Sequence, residues 1–252
     1  MTETAVTTIA DLILDRGLAQ CASEASALVR RGRVLVNGER VYDPDAVVSA
    51  DAALRITTST SKYASRAGVK LEHALRNFDI EVEGKTCVDI GASTGGFTDC
   101  LLGFGARRVY AVDVGYGILD WELRIHPRAV VIERFNARYL SKTQIPEVCD
   151  IATIDVNHIS IIKLIDPVFS VISDDGSVIA LVKPQFEISR ELACEPGFVR
   201  GVIRDESLAA RVMDDVKSRL CSAGVSWERD LESPITGTKG NREFFALLSR
   251  RA

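Results

Sequence analysis

Apolar residues near the start of the chain recur at helical spacing. They lie three and four positions apart in two groups, which predicts two short helices, each with one buried face. The groups are Ile9, Leu12, Ile13 and Leu18, then Ala25, Leu28 and Val29. Behind them, Asn37-Gly38 separates Val34 and Val36 from Val41. This dipeptide predicts a β-hairpin because both turn positions tolerate positive φ. The pattern therefore predicts a small α+β domain over residues 1–60.

A polar stretch without periodicity, at about residues 57–62, predicts a linker to a second domain over residues 63–252. In that domain strand-like runs alternate with helical stretches, the pattern that builds a parallel sheet covered by helices. Seven strands are predicted, at Thr86–Ile90, Val109–Val112, Val130–Glu133, Ile151–Ile154, Ser177–Val182, Val225–Arg229 and Phe244–Leu248. The predicted fold class is α/β, with a seven-stranded Rossmann-like domain after the small one.

The helix that leads into this second domain has a clear start and a clear buried face. Ser65 is a candidate N-cap. One helical face carries the apolar residues Leu71, Ala74, Leu75 and Phe78. Lys70 is therefore expected beside this apolar stripe, in the opening turns of the helix.

A glycine-rich turn follows the first strand of the second domain. It reads Gly91-x-Ser93-x-Gly95-Gly96-Phe97, and turns at this edge of such sheets bind ligands. A dinucleotide fingerprint has glycine where Ser93 stands, so the turn favours a nucleoside cofactor without a pyrophosphate, such as S-adenosylmethionine. Further candidates for the cofactor site are Asp113, 22 residues after Gly91, for the ribose hydroxyls, Asn136 for the adenine edge, and Asp155.

The same residues spell Gly-x-Ser-x-Gly, the nucleophile elbow of α/β-hydrolases, with Ser93 as nucleophile. Asp113 with His126, or Asp155 with His158, could then complete a triad. The elbow would fall on the first strand of the domain, however, and no histidine follows residue 158. We therefore expect both histidines to be ordinary polar or partly packed residues.

Four charged residues are expected at one edge of the sheet. Asp155 ends the fourth strand, Lys183 ends the fifth before Pro184, Glu243 precedes the last, and Lys70 comes from the leading helix. A ribose hydroxyl is a poor nucleophile until a base takes its proton, and a lysine can serve if it is neutral. We expect Lys183 to be this base, Lys70 to be the neighbouring cation, and the carboxylates to orient both lysines.

Composition limits how the chain could meet other molecules. A net charge of −4 and a pI of about 5.5 mean that any RNA contact is local. The candidate region is the predicted hairpin and the helix end before it, with Arg30, Arg31, Arg33 and Arg40 projecting from them. The six cysteines show no Cys-x-x-Cys spacing, so no metal site is expected. No long apolar run and no signal-peptide layout is present, which predicts a cytoplasmic protein without stable membrane association.

Two resemblances follow from these motifs. The segment Gly32-Arg33-Val34-Leu35-Val36-Asn37-Gly38-Glu39-Arg40-Val41 resembles the RNA-binding domain named after ribosomal protein S-four. Residues 62–250 resemble the TlyA family of hemolysin-labelled rRNA 2′-O-methyltransferases, which have an FtsJ-like domain. The matching stretches include Ser65 to Glu72, Asp89 to Leu102, Tyr110 to Gly117, Ala152 to Val156, Leu181 to Glu187 and Ser233 to Gly237.

The second resemblance implies a methyltransferase that uses S-adenosyl-L-methionine and acts on ribosomal RNA or ribosomal subunits. It implies a Lys-Asp-Lys-Glu tetrad on Lys70, Asp155, Lys183 and Glu243, and it adds Arg66 to the RNA-binding candidates. The chain departs from the family at Ala67-Gly68, at Asn157-His158 and in the loop at residues 194–204. That loop is either a lid or RNA clamp, through Arg190, Arg200 and Arg204, or a plain surface excursion. Two alternative functions are a non-catalytic RNA-binding or ribosome-assembly factor and a membrane-lytic hemolysin.

Overall fold

A computed structural model describes residues 6–57, 62–237 and 239–251. The first of these segments forms a small α+β domain. Strands β2 and β3 form the predicted hairpin, in which Asn37 and Gly38 have φ of 51° and 90°. The elements are β1 (Val6–Thr8), α1 (Ile9–Asp15), α2 (Ala22–Arg30), β2 (Val34–Val36), β3 (Glu39–Val41), β4 (Val47–Ser49) and β5 (Leu54–Ile56).

Both predicted helices of the small domain are confirmed, with one correction at Leu18. Gly17 has a φ of 65°, and the Leu18 amide donates to the Ile13 carbonyl at 3.0 Å, so α1 closes before Leu18. Leu18 is therefore exposed, whereas Ile9, Ile13, Ala25 and Val29 are fully buried in the core of the domain. The predicted linker falls mainly on residues 58–61, which lie outside the described residues.

The larger domain carries all seven predicted strands. Its elements are α3 (Arg66–Phe78), β6 (Thr86–Ile90), α4 (Gly96–Gly103), β7 (Arg108–Val112), α5 (Trp121–Arg124), β8 (Ala129–Ile132), β9 (Cys149–Ile154), α6 (Ile165–Phe169), β10 (Ile172–Val182), α7 (Pro184–Glu187), β11 (Phe198–Val199), β12 (Val202–Ile203), α8 (Glu206–Ser222), β13 (Val225–Glu232) and β14 (Phe244–Arg250). Ser65 caps α3 as predicted, since its side chain accepts from the Ala67 amide, and the predicted apolar stripe of α3 is buried.

The sheet order places the ends of the strands that matter for function side by side. The order is β13-β14-β10-β9-β6-β7-β8, and β10, β9, β6, β7 and β8 run parallel while β14 is antiparallel to β10 and β13. The chain reverses its winding between β6 and β9, and ligands of such sheets bind outside the carboxyl ends of the strands at this point. Apolar clusters cover both faces of the sheet. The predicted α/β class with a Rossmann-like domain is confirmed.

Candidate active site

The four charged side chains form two ion pairs that line one cavity. β9 and β10 are neighbours, so Asp155 and Lys183 follow adjacent strand ends, and Lys183 Nζ lies 2.5 Å from Asp155 Oδ1. Lys70 comes from α3, and its Nζ lies 2.6 Å from Glu243 Oε2, just before β14. The cavity measures about 680 Å³ and also contacts the glycine turn. Residues from five separate parts of the domain therefore converge here.

Each of these ion pairs contains a side chain that is almost completely buried. Lys183 is 7% exposed and Glu243 is 4% exposed. An isolated charge at such depth is strongly unfavourable, so each needs its partner. Gly237 contributes to the fit, because a Cβ there would clash with the Glu243 carboxylate. The site therefore holds two lysines in fixed positions without an unpaired buried charge among them.

The structure adds Asn157, which the sequence marks as a departure from the family but not as a catalytic or cofactor-binding candidate. Its Oδ1 accepts from Lys183 Nζ at 2.9 Å, so Lys183 has two oxygen acceptors on the segment after β9. The available signal was its position two residues after Asp155, at the carboxyl end of a strand. The next residue, His158, has a φ of 62°, and its ring lies 4.8 Å from that of Phe186 at the same cavity.

The glycine turn packs tightly against the catalytic edge of the sheet. Gly91 has a φ of 85°, and a Cβ there would clash with the Asp155 carbonyl oxygen. Gly91 is therefore needed both for its conformation and for the close approach. Ser93, Gly96 and Phe97 also line the cavity, whereas Gly95 packs against Leu119 and Leu123.

Asp113 connects the glycine turn to the next strand end. Its Oδ2 accepts from the Ser93 amide at 2.8 Å and its Oδ1 accepts from the Gly115 amide at 2.6 Å. Each carboxylate oxygen has a second lone pair, so Asp113 retains capacity for the two hydroxyls of a ribose. A nucleoside cofactor thus fits the residues present, because the glycine turn lies beside a fixed, half-buried carboxylate that can accept hydroxyl groups.

Asn136 is the candidate for contact with the adenine edge of the cofactor. Asn136 follows β8, and its Oδ1 accepts from the Arg138 amide at 3.1 Å. Neither Asn136 nor Asp113 lines the cavity that holds the lysines. The candidate cofactor residues are thus spread along the carboxyl edge, with the glycine turn between Asp113 and the lysine-lined cavity.

The hydrolase triad is not assembled. Among the described residues no histidine hydrogen-bonds to the Ser93 side chain, and the Asp113 carboxylate accepts from backbone amides. His126 is buried, and its Nε2 lies 2.6 Å from the Arg30 carbonyl oxygen in the small domain. Burial lowers the pKa of His126 to about 4. It is a packed contact between the two domains, as expected for an ordinary histidine.

Asp89 lies beneath the glycine turn and is fully buried. The hydroxyls of Thr98 and Thr153 donate to its two oxygens at 2.7 and 3.0 Å. Burial raises the pKa of the Asp89 carboxyl to about 7 despite these hydrogen bonds. The folded protein therefore holds this proton over a pH range in which the unfolded chain has lost it.

The stability of the fold is expected to respond to pH through Asp89. Because its pKa is raised on folding, its contribution is largest at low pH and falls as pH rises towards 7. Between pH 5 and pH 8 the free energy of unfolding of wild type should fall relative to Asp89→Asn by on the order of 2–3 kcal/mol. Urea unfolding of both proteins at the two pH values measures this. Parallel pH dependences would contradict it.

The arginines expected to project towards RNA instead contact the larger domain, which corrects that expectation. Arg31 is 6% exposed and its Nε lies 3.5 Å from Asp99 Oδ1 on α4, and Arg33 pairs with Asp99 and with Glu122. Arg30 and Arg40 also pair across the domains, with Glu83 and Glu122. The physical reason is that acids of the larger domain face this side of the hairpin: Asp99 is buried, Glu122 is half-buried and Glu83 is exposed. Arg66, by contrast, is exposed and lines the active-site cavity.

The strand order, the glycine turn and its paired aspartate define an S-adenosylmethionine-dependent methyltransferase. A sequence model described as "FtsJ-like methyltransferase" matches residues 63–250, about three quarters of the chain. The chain therefore belongs to the FtsJ-like methyltransferase family, and its methyl donor is S-adenosyl-L-methionine.

Characterised and solved relatives cover nearly the whole chain. It is 39% identical over 237 residues to the 16S/23S rRNA (cytidine-2'-O)-methyltransferase TlyA of Mycobacterium tuberculosis, covering 94% of this chain and 87% of the relative. It is 38% identical over 237 residues to Hemolysin A of Brachyspira hyodysenteriae, covering 94% and 97%. A solved structure of a hemolysin-labelled protein from Streptococcus thermophilus matches with a TM-score of 0.72 at 36% identity, covering 99% of this chain and 90% of that one. The resemblance to the TlyA family is thereby confirmed.

Within the part of the chain that the structure describes, none of the helices has the length and apolar character needed to cross a bilayer.

Proposed function

We propose that this protein transfers a methyl group from S-adenosylmethionine to a ribose 2′-hydroxyl of ribosomal RNA. The observation that carries the proposal is the Lys183 amine, held by Asp155 and Asn157 in the same cavity as the glycine turn. The relative from M. tuberculosis is named for 2′-O-methylation of cytidine in 16S and 23S rRNA, which supports the same reaction and substrate class here. Such a substrate is found in the cytoplasm, where we place the protein.

The catalytic roles follow from the contacts of each side chain. Once Lys183 has lost a proton, its two remaining N–H groups can donate to Asp155 and Asn157, which leaves the lone pair for the substrate hydroxyl. Lys70 is a second lysine in the cavity, and Glu243 fixes its position. The bound cofactor supplies an electrophilic methyl group. The protein's main tasks are to position the 2′-oxygen and to take its proton.

Asn157 acts on the reaction through Lys183. Asn157→Ala removes one of the two acceptors of the Lys183 amine, so kcat should fall about 10–100-fold because the base is held less accurately. The affinity for S-adenosylmethionine should stay unchanged, because the Asn157 side chain bonds to Lys183, whereas the cofactor candidates are the glycine turn and Asp113. Asn157→Ser, which keeps an oxygen acceptor, should recover most of the rate. Single-turnover rates and calorimetric titration with the cofactor measure both quantities.

Equal kcat in wild type and Asn157→Ala would contradict this role. A loss of rate that serine does not restore would indicate that Asn157 supports the local fold and not the position of the amine.

Transfer of tritiated methyl groups from S-adenosylmethionine to purified 30S and 50S subunits and to free rRNA tests the proposed substrate. We expect incorporation into rRNA of at least one of these. Cofactor-dependent binding of rRNA without any transfer would instead support a non-catalytic assembly factor.

A further inference from the structure

The chain after α7 builds a short hairpin beside the active-site cavity. β11 and β12 pair antiparallel around Arg200 and Gly201, which have φ of 51° and 80°. Positive φ at both positions is the signature of a tight two-residue turn. Gly201 itself lines the cavity that holds Lys183. The loop at residues 194–204, for which the sequence allows either a lid or RNA clamp or a surface excursion, therefore has an ordered tip beside the active-site cavity.

The hairpin is fastened to the same segment that carries Glu243. Asn241 is 4% exposed; its Oδ1 accepts from the Ile203 amide at 2.9 Å and its Nδ2 donates to the Gly201 carbonyl at 3.0 Å. A buried amide with both ends bonded fixes the position of the turn. At the base of the hairpin, the Arg211 guanidinium on α8 bonds both oxygens of Glu195, at 2.8 and 2.7 Å. The tip is thus held in place.

Two positively charged side chains near this tip form no ion pair with any acid in the part of the chain that the structure describes. Lys239 lines the cavity, and its Nζ lies 3.9 Å from where a Cβ of Gly201 would stand. Arg200, next to Gly201, and Lys239 are both exposed. Over residues 6–57, 62–237 and 239–251, neither side chain is within ion-pair distance of a carboxylate. Most arginines of the domain interface, by contrast, are paired with acids. We call Arg200 and Lys239 the tip cations.

We infer that the tip cations bind the phosphodiester backbone of the RNA next to the ribose being methylated. The inference rests on the proposed function. A ribose 2′-oxygen is on the carbon next to the one that bears the 3′-phosphate, so an RNA that brings this oxygen to Lys183 brings a phosphate to the cavity mouth. Two exposed cations beside the same turn, neither of them in an ion pair over the described residues, match that phosphate and the next. Backbone contacts of this kind fix the register of the strand and carry no base preference.

The test compares Arg200→Gln, Lys239→Gln and the double variant with wild type, using in vitro transcribed 16S and 23S rRNA and the rRNA of purified 30S and 50S subunits. Filter binding and methyl transfer are measured from 50 to 300 mM salt. The double variant should bind rRNA at least tenfold more weakly and show the same loss in KM. Its slope of log affinity against log salt should be smaller by about one for each cation removed. The kcat at saturating rRNA should stay within about twofold, since Lys183 and its partners are untouched.

Two further variants make the outcome specific. Arg200→Lys keeps the charge and should retain most of the affinity. Lys85→Gln removes a cation just before β6, at the opposite edge of the sheet from the cavity, and should leave affinity and slope unchanged. If the double variant binds rRNA with wild-type affinity and salt slope, the inferred role of the tip cations is overturned, while the methyltransferase proposal stays intact. If the wild-type protein binds rRNA without methylating it, the proposed function is overturned, but the effect of the tip cations on rRNA affinity can still be measured. Wild type without any rRNA affinity would overturn both.

Discussion

Replacing Lys183 by alanine is expected to abolish methyl transfer while the cofactor still binds. The side chain is the proposed base, and loss of a general base typically costs 10²–10⁴ in rate. Its Nζ bonds to Asp155 and Asn157, so its removal leaves the glycine turn and Asp113 in place. The affinity for S-adenosylmethionine should therefore stay within a few-fold. Single-turnover transfer and calorimetric titration measure the two effects separately.

Two controls separate a lost base from a lost charge. Lys183→Arg keeps the positive charge, but a guanidinium stays protonated at neutral pH, so this variant should be about as inactive as alanine. Lys85→Ala, at the far edge of the sheet, should transfer at the wild-type rate. Turnover by Lys183→Ala at the wild-type rate would rule out the assignment of the base.

Replacing Arg31 by alanine is expected to produce the largest loss of stability of any single charge change at the domain interface. Asp99 is fully buried, and Arg31 lies against it at 6% exposure while it also stacks on Tyr63 at 4.5 Å. Burial raises the pKa of the Asp99 carboxyl, and the Arg31 guanidinium acts in the opposite direction. Arg33 lies farther from Asp99, at 3.8 Å, and also pairs with Glu122, so removal of Arg31 leaves the buried carboxylate poorly compensated, which costs about 3–5 kcal/mol. Urea unfolding measures this loss.

The matched variants test the cause. Arg31→Ala combined with Asp99→Asn should recover part of the lost stability, because the amide no longer carries a buried charge. Arg76→Ala breaks an ion pair in which the arginine side chain is 66% exposed, and it should cost no more than about 0.5 kcal/mol. A loss below about 1 kcal/mol for Arg31→Ala would show that Arg33 alone compensates Asp99.

Local pattern was enough to predict the elements of this fold. The seven strands, the Asn37-Gly38 turn and the capped helix α3 depend on apolar periodicity and turn chemistry over a few residues, and all are confirmed. The exception, Leu18, was misplaced because Gly17 ends the helix by a backbone conformation that apolar spacing does not reveal.

The partners of charged side chains could be predicted only in part. That Lys183 and Asp155 lie close together follows from the strand order, because both end neighbouring parallel strands. The partner of Lys70 is 173 residues away, and the arginines of the small domain bond to acids of the larger one. Such partners depend on how the domains and loops pack, which a local pattern does not contain. For the same reason the arginine cluster resembled a nucleic-acid surface in the sequence.

The most direct test of the account is to identify the atom that receives the methyl group. Ribosomal RNA is methylated with labelled S-adenosylmethionine by wild type and by Lys183→Ala, then hydrolysed with alkali. A 2′-O-methyl group blocks cleavage at its own nucleotide, so we expect the label from wild type to elute in alkali-resistant dinucleotides and the variant to yield none. Label released in single nucleotides, as from a methylated base, would contradict the central claim.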